Sequence, residues 1–211
     1  MTAWAQSPEQ LLLNRLDSVA HTKSIASHFA SLYRRTSARA FTYYRNARPE
    51  ESAIAHRFML VFADYFFQSA QLPSLNWQAY YSDSSRTILH YQLLGMNAHI
   101  NGDLWQALYR HFSYEEFKQG RRLLIRFQQA LRKEFNARYE ETIREKGPGR
   151  TLHMLSAGLS RYYGHWKLLH WRKRQFRLAN RMFDNPDKAT PRLRRITRKK
   201  QSVDRLILRH L

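Results

Sequence analysis

The chain has 211 residues, with Lys+Arg 36 against Asp+Glu 16 and a formal net charge of +20. Hydrophobic residues at 43% and aromatics at 14% supply a buried core and exclude intrinsic disorder over most of the length. The absence of Cys excludes disulfides, thiolate zinc sites, iron–sulfur clusters and Cys nucleophiles, while only 7 Gly and 6 Pro argue against a turn-rich all-β fold.

The residues from Met1 to Pro8 lack the basic and apolar regions of a secretory signal. No apolar run approaches the ~20 residues that span a bilayer, so a cytoplasmic protein without a transmembrane segment is expected. Ser7-Pro8-Glu9-Gln10 predicts a helix start: Ser caps, Pro takes the first helical position, and Gln follows three residues after the cap. Leu12, Leu13, Leu16, Val19 and Ala20 then recur at helical spacing. A second helix is predicted from Ser24 to Arg45, burying Ile25, Phe29, Leu32 and Tyr33. A third runs from Glu50 to Gln71, with Ile54, Phe58, Val61, Phe62, Tyr65 and Phe66 on its apolar side. Trp77 to Tyr81 reads as one aromatic turn. From Ser84 to Phe112 lies a helical segment with Gly95 and Gly102 inside it. Ser113-Tyr114-Glu115-Glu116 is a capping box opening a helix that reaches Glu145. Gly147-Pro148-Gly149 breaks the chain, and Thr151 to Phe183 forms the next helix. Asn185-Pro186-Asp187 is read as its end, with Pro191 opening a last basic helix. The expected fold is all-α: one multi-helix globule of about six to eight helices. Residues 1–184 form the helical domain, and 185–211 a basic C-terminal helical extension.

Candidate chemistry concentrates in Gly95-Met96-Asn97-Ala98-His99-Ile100-Asn101-Gly102-Asp103-Leu104. His99 and Asp103 lie one turn apart on one helical face, and Gln106 and Arg110 continue the stripe. The rest of the circumference is apolar. An imidazole and a carboxylate so placed are able to share a metal ion or to work as an acid–base pair. The competing expectation is a surface helix whose polar line is solvated. A glycine in a helix interior costs roughly 1 kcal/mol, so Gly95 and Gly102 imply a turn or close packing.

This stretch resembles the hallmark of an uncharacterised bacterial family, domain-of-unknown-function family 5995: Gly-Met-Asn-Ala-His-Ile-Asn-x-Asp-Leu, here with Gly102 at the variable position. The resemblance extends through Phe62 to Phe66, Trp77 and Phe29 to Thr36, and more weakly around Trp171. It reaches Asp184 and leaves the basic C-terminal segment unmatched. It implies an all-α fold and a role for His99 and Asp103, and no established activity. More distantly, His99 to Gln106 is similar to the His-x-x-Gly-Asp-x-His-Gln segment of the zinc-dependent phospholipase C and P1-type nuclease superfamily. Trp105 and Tyr109 stand where that superfamily has ligand histidines, which leaves one or two ions rather than three.

Two functional readings follow. In the first the protein is a metal-dependent hydrolase of phosphoesters. His99 and Asp103, with His56 and Asp64, hold a divalent zinc, iron or manganese ion, a bound water attacks, and Arg110 meets the anionic substrate. In the second it is a non-catalytic basic protein, with His99–Asp103 a structural hydrogen bond. The last 40 residues hold 14 Lys+Arg against three Asp. Arg192, Arg194, Arg195, Arg198, Lys199 and Lys200 would bind a polyanion, either nucleic acid or an anionic membrane surface. Oligomeric state and substrate have no signature in the sequence.

Overall fold

A computed structural model describes residues 7–127 and 159–210, with side chains in the second stretch from 166 to 209. The described residues are helical and contain no strand. Helix α1 spans Pro8–Ala20, and its Ser7 cap accepts from the Gln10 amide at 3.2 Å. The Gln10 side chain turns instead to Asn14 at 2.8 Å, so only half of the expected capping box forms. Helix α2 (Ala26–Tyr44) buries Phe29, Tyr33, Ser37, Phe41 and Tyr44 along one face. Helix α3 (Pro49–Gln71) sets Phe58, Phe62 and Phe66 against it. Helix α4 is the single turn Gln78–Tyr81, preceded by the fully buried Trp77.

The segment with internal glycines is one rod in three parts: α5 (Ile88–Ala98), a π-helical turn (His99–Asp103) and α6 (Leu104–His111). It contacts α2 and α3 on one side and the last two helices on the other. A helix covered on all sides needs apolar residues around its circumference, which is the pattern this segment carries. Helix α7 begins after Ser113 and is described over 114–127. Here both halves of the capping box form: the Glu116 amide donates to Ser113 Oγ at 3.2 Å, and the Ser113 amide to Glu116 Oε2 at 2.8 Å. The expected end near Glu145, the break at Gly147-Pro148-Gly149 and the start at Thr151 lie outside the described residues.

Helix α8 spans Leu159–Asp184 and α9 spans Pro186–His210. The final helix thus opens at Pro186, and Pro191 lies inside it. Asn185 is the reason: its side chain accepts from the Lys188 amide at 3.0 Å, making it an N-cap with Pro in the favoured next position. Helix α9 packs on α5, the π turn and α8, burying Ala189, Ile196 and Ile207. No helix among the described residues is long and apolar enough to cross a membrane.

The glycines mark close packing. A Cβ on Gly95 would stand 2.5 Å from the Phe29 ring, and one on Gly102 would collide with the Asn76 side chain. Phe29 has nowhere to go, because Tyr33, Phe66, Trp77, Tyr80 and His99 surround it. Gly95→Ala is therefore expected to destabilise by about 1–3 kcal/mol, overriding the helix-propensity gain. A lower urea midpoint with unchanged slope checks it.

Candidate active site

A π turn inserts one extra residue into a helix, and such turns recur where a side chain must be re-aimed. Here both His99 and Asp103 are held inside the bundle, 2% and 1% exposed, so that half of the polar line is not solvated, while Arg110 at its end is exposed. His99 Nδ1 stands 3.3 Å from Asp103 Oδ2. Trp77 Nε1 donates to the same oxygen at 2.8 Å, and Asn76 Nδ2 donates to Oδ1 at 3.0 Å. Both carboxylate oxygens are thus engaged by protein donors. Asp103 works as an anchor that fixes the ring and favours a proton on Nδ1, leaving the lone pair on Nε2.

The His99 ring stacks on Phe62 at 3.6 Å between centroids and meets the Tyr33 ring edge-on at 4.7 Å. Burial pushes its pKa below the ordinary value; Asp103 opposes this and Arg172 adds to it. The unfolded imidazole titrates near ~6.5, and the folded one below that. Above ~6.5 neither state binds the proton and stability is at its full value. Between the two pKa values only the unfolded state is protonated, so stability falls with falling pH, by up to about 1.4 kcal/mol per unit. Chemical denaturation from pH 8 to 5 is expected to show this loss in the wild type and less of it in His99→Gln.

His99 Nε2 is buried and makes no hydrogen bond within the protein, and neither do Tyr33 Oη, Ser37 Oγ, Gln175 Oε1 or Arg172 Nε. Buried polar groups are almost always satisfied, so these atoms, with Arg174 Nε beside them, call for an explanation. Tyr33 and Ser37 lie one turn apart on the buried face of α2, and the Tyr33 ring touches His99. Arg172, on α8, acts electrostatically on Tyr33, Tyr44 and His99. Its own pKa is pulled down by burial and held up by the two phenols, with no carboxylate among the described residues that act on it. Burial in turn raises the Tyr33 phenol well above its ordinary range, keeping it a neutral donor and acceptor. Among the described residues, the bundle therefore brings together a lone pair, a phenol and a half-buried guanidinium with no carboxylate beside it.

The opposite side of the rod explains the rest of the motif. Asn97 Nδ2 donates to the Lys200 carbonyl at 3.0 Å and to Asp204 Oδ1 at 2.8 Å. Asn101 Nδ2 donates to Asn97 Oδ1 at 2.8 Å, while Asn101 accepts from Arg174 Nη2 at 2.9 Å and Gln175 Nε2 at 3.1 Å. The two asparagines pin α8 and α9 onto the rod.

The other residues singled out by sequence are placed elsewhere. His56 Nε2 pairs with Glu9 at 3.2 Å, its ring against Phe41 and Tyr44. Asp64 is exposed and pairs with Arg15 at 3.5 Å. Arg110 is exposed at the end of the rod, bonded to Tyr65. Among the described residues no three His, Asp or Glu side chains converge as a metal site would require. Of the basic C-terminal set, Arg194, Arg195, Arg198 and Lys199 are exposed and Arg192 half-buried. Lys200 faces inward: it is 2% exposed, pairs with Asp204 at 2.7 Å and donates to the Asn76 carbonyl. The functional candidates that sequence reading passed over are Tyr33, Ser37, Trp77, Arg172 and Gln175. Tyr33 and Ser37 did carry a signal, a hydroxyl pair at one-turn spacing on an apolar face.

Comparison with known proteins adds a family and nothing finer. No curated protein and no solved structure matches the chain, and the distant likeness to the phospholipase C and P1 nuclease superfamily finds no support. A family model described as a family of unknown function, DUF5995, matches residues 10–210, taking in the basic helix that the motif alone did not reach. The rod with its Gly-Met-Asn-Ala-His-Ile-Asn-x-Asp-Leu motif lies within that span, and the chain belongs to the DUF5995 family.

Proposed function

We propose that the protein is an acid–base enzyme acting on a small anionic ester, with phosphoesters the first class to test. The observation that carries this reading is His99: Nδ1 is anchored on Asp103, while Nε2 is buried and unpartnered. Its lowered pKa keeps the ring neutral at pH 7, the form a general base needs. Nε2 would take a proton from water, whose oxygen bonds to phosphorus as the alcohol leaves and recovers a proton from the imidazolium. Arg172 would face the anionic group, the role the sequence gave to Arg110. Arg172 suits it because the described residues offer it no carboxylate.

A divalent ion is the alternative at the same atom, with Nε2 as ligand and Asp103 orienting the ring from behind. The test is hydrolysis of para-nitrophenyl phosphate and its bis ester with and without a chelator, beside elemental analysis of the purified protein. Chelator-resistant turnover reduced by about 10²–10⁴ in folded His99→Gln supports the base. Near-stoichiometric metal that disappears in His99→Gln would replace it with a metal site. Turnover unaffected by His99→Gln would sink both. Binding of nucleic acid or an anionic membrane by α9 is carried less far. Lys200 is buried, and Arg192, Arg195 and Lys199 line a cleft, which leaves Arg194 and Arg198 of that set on the open face.

A further inference from the structure

Helices α8 and α9 are joined through the single residue Asn185 and pack on each other as a hairpin. On α8, His170, Arg174, Arg177 and Arg181 follow at intervals of four, three and four, which is one helical face. On α9, Arg192, Arg195 and Lys199 do the same. The rows meet across a cleft of about 240 Å³, lined by these residues up to Arg177 together with the buried Ile196. Among the described residues no carboxylate lines it. A second depression of about 280 Å³ shares Arg177 and Arg192 and adds Arg121, Arg181 and one carboxylate, Asp184, which already accepts from Asn180 at 2.8 Å.

Among the described residues, like charges face each other across the first cleft with no carboxylate between them. Burial first, then the neighbouring arginines, lower the pKa of Arg192 and of Arg174, and burial with nearby cations lowers that of His170. Arg174 is fixed in place by Asn101, yet its Nε is buried and has no partner in the protein. A concavity lined by several guanidinium groups favours the entry of an anion. Guanidinium forks suit phosphate oxygens in pairs, and a multivalent anion satisfies several at once.

We propose that the α8–α9 cleft binds a compact polyphosphate group, with Arg177 and Arg192 bridging the two depressions they share. Arg194 and Arg198 lie outside both linings, so the site is a pocket rather than a track. The site is separate from the acid–base centre and stands or falls independently of it.

Calorimetric titration of the full chain with sodium pyrophosphate, and separately with ATP in the absence of magnesium, tests the proposal. One-to-one binding of pyrophosphate is expected, weakened at least ~tenfold by Arg192→Gln and further by adding Arg177→Gln. Arg205→Gln, on the exposed side of α9, should change it less than ~twofold. Arg192→Lys, which keeps the charge and loses the fork, should fall between, and circular dichroism checks that each variant folds. ATP binding at least ~tenfold tighter than pyrophosphate would assign the group to a nucleotide, and equal binding to phosphate alone. No heat with either anion overturns the proposal, as does affinity unchanged in folded Arg192→Gln. So does a single-stranded oligonucleotide that binds and is not displaced by pyrophosphate, which would make the face a nucleic-acid surface.

Discussion

Asp204→Ala is expected to cost about 3–5 kcal/mol of folding stability, a large share of the 5–15 kcal/mol that holds a typical domain together. The residue removed is small, but what it leaves behind is a Lys200 ammonium 2% exposed and without its 2.7 Å carboxylate. The Asn97 amide loses its 2.8 Å acceptor in the same step. Replacing both ions with apolar residues of similar shape removes the unpaired charge along with the pair. Lys200→Met with Asp204→Leu is thus expected to come within about 1–2 kcal/mol of wild type. A double-mutant cycle in urea measures the difference. Single and double variants equally destabilised would show that Lys200 reaches solvent once its partner is gone. The pair has a further consequence, because Lys200 also holds the Asn76 carbonyl and Asn76 donates to Asp103. A chain of contacts therefore runs from the last helix to His99, and truncation at Asp187 would remove part of the core together with the charge.

The second large effect is on the chemistry. Asp103→Asn keeps the shape but replaces an acceptor-only group with one acceptor and one donor. Three donors face this position: Trp77 Nε1, Asn76 Nδ2 and His99 Nδ1. The new amide nitrogen meets at least one of them donor to donor. With the amide nitrogen in the Oδ2 position, His99 relieves its part of the conflict by moving its proton to Nε2, which removes the lone pair from the interior. The same tautomer logic in serine proteases costs about 10⁴ in rate, and a loss of about 10²–10⁴ in esterase turnover is expected here, with about 1–3 kcal/mol of stability. Nitrogen NMR of the His99 ring distinguishes the mechanism: wild type should show the Nδ1–H form, Asp103→Asn the Nε2–H form. An Nδ1–H ring in the variant would refute it.

What the residues determined locally is the helical framework. Caps such as Ser7 and Ser113 act on amides three residues away, and the apolar spacing along α2 and α3 is a property of each segment by itself. The Gly95–Leu104 motif and the tight packing of its glycines were visible for the same reason, since a helix interior tolerates glycine only at a cost. Pro191 misled because proline is read as a helix opener; the Asn185 cap at the preceding proline took that role. Tertiary structure alone decided which side of each polar helix faces inward. Lys200 falls in phase with Ile196, Val203 and Ile207 and Lys199 does not, but only the packing of α9 on the rod shows that this face, lysine included, is buried. Likewise Asp103 draws its donors from Asn76 and Trp77, and Arg172 reaches Tyr33 and Tyr44 from across the bundle. Helical periodicity orders neighbours within about two turns. Partners brought together from distant segments, and polar atoms left without one, exist only once the helices have packed.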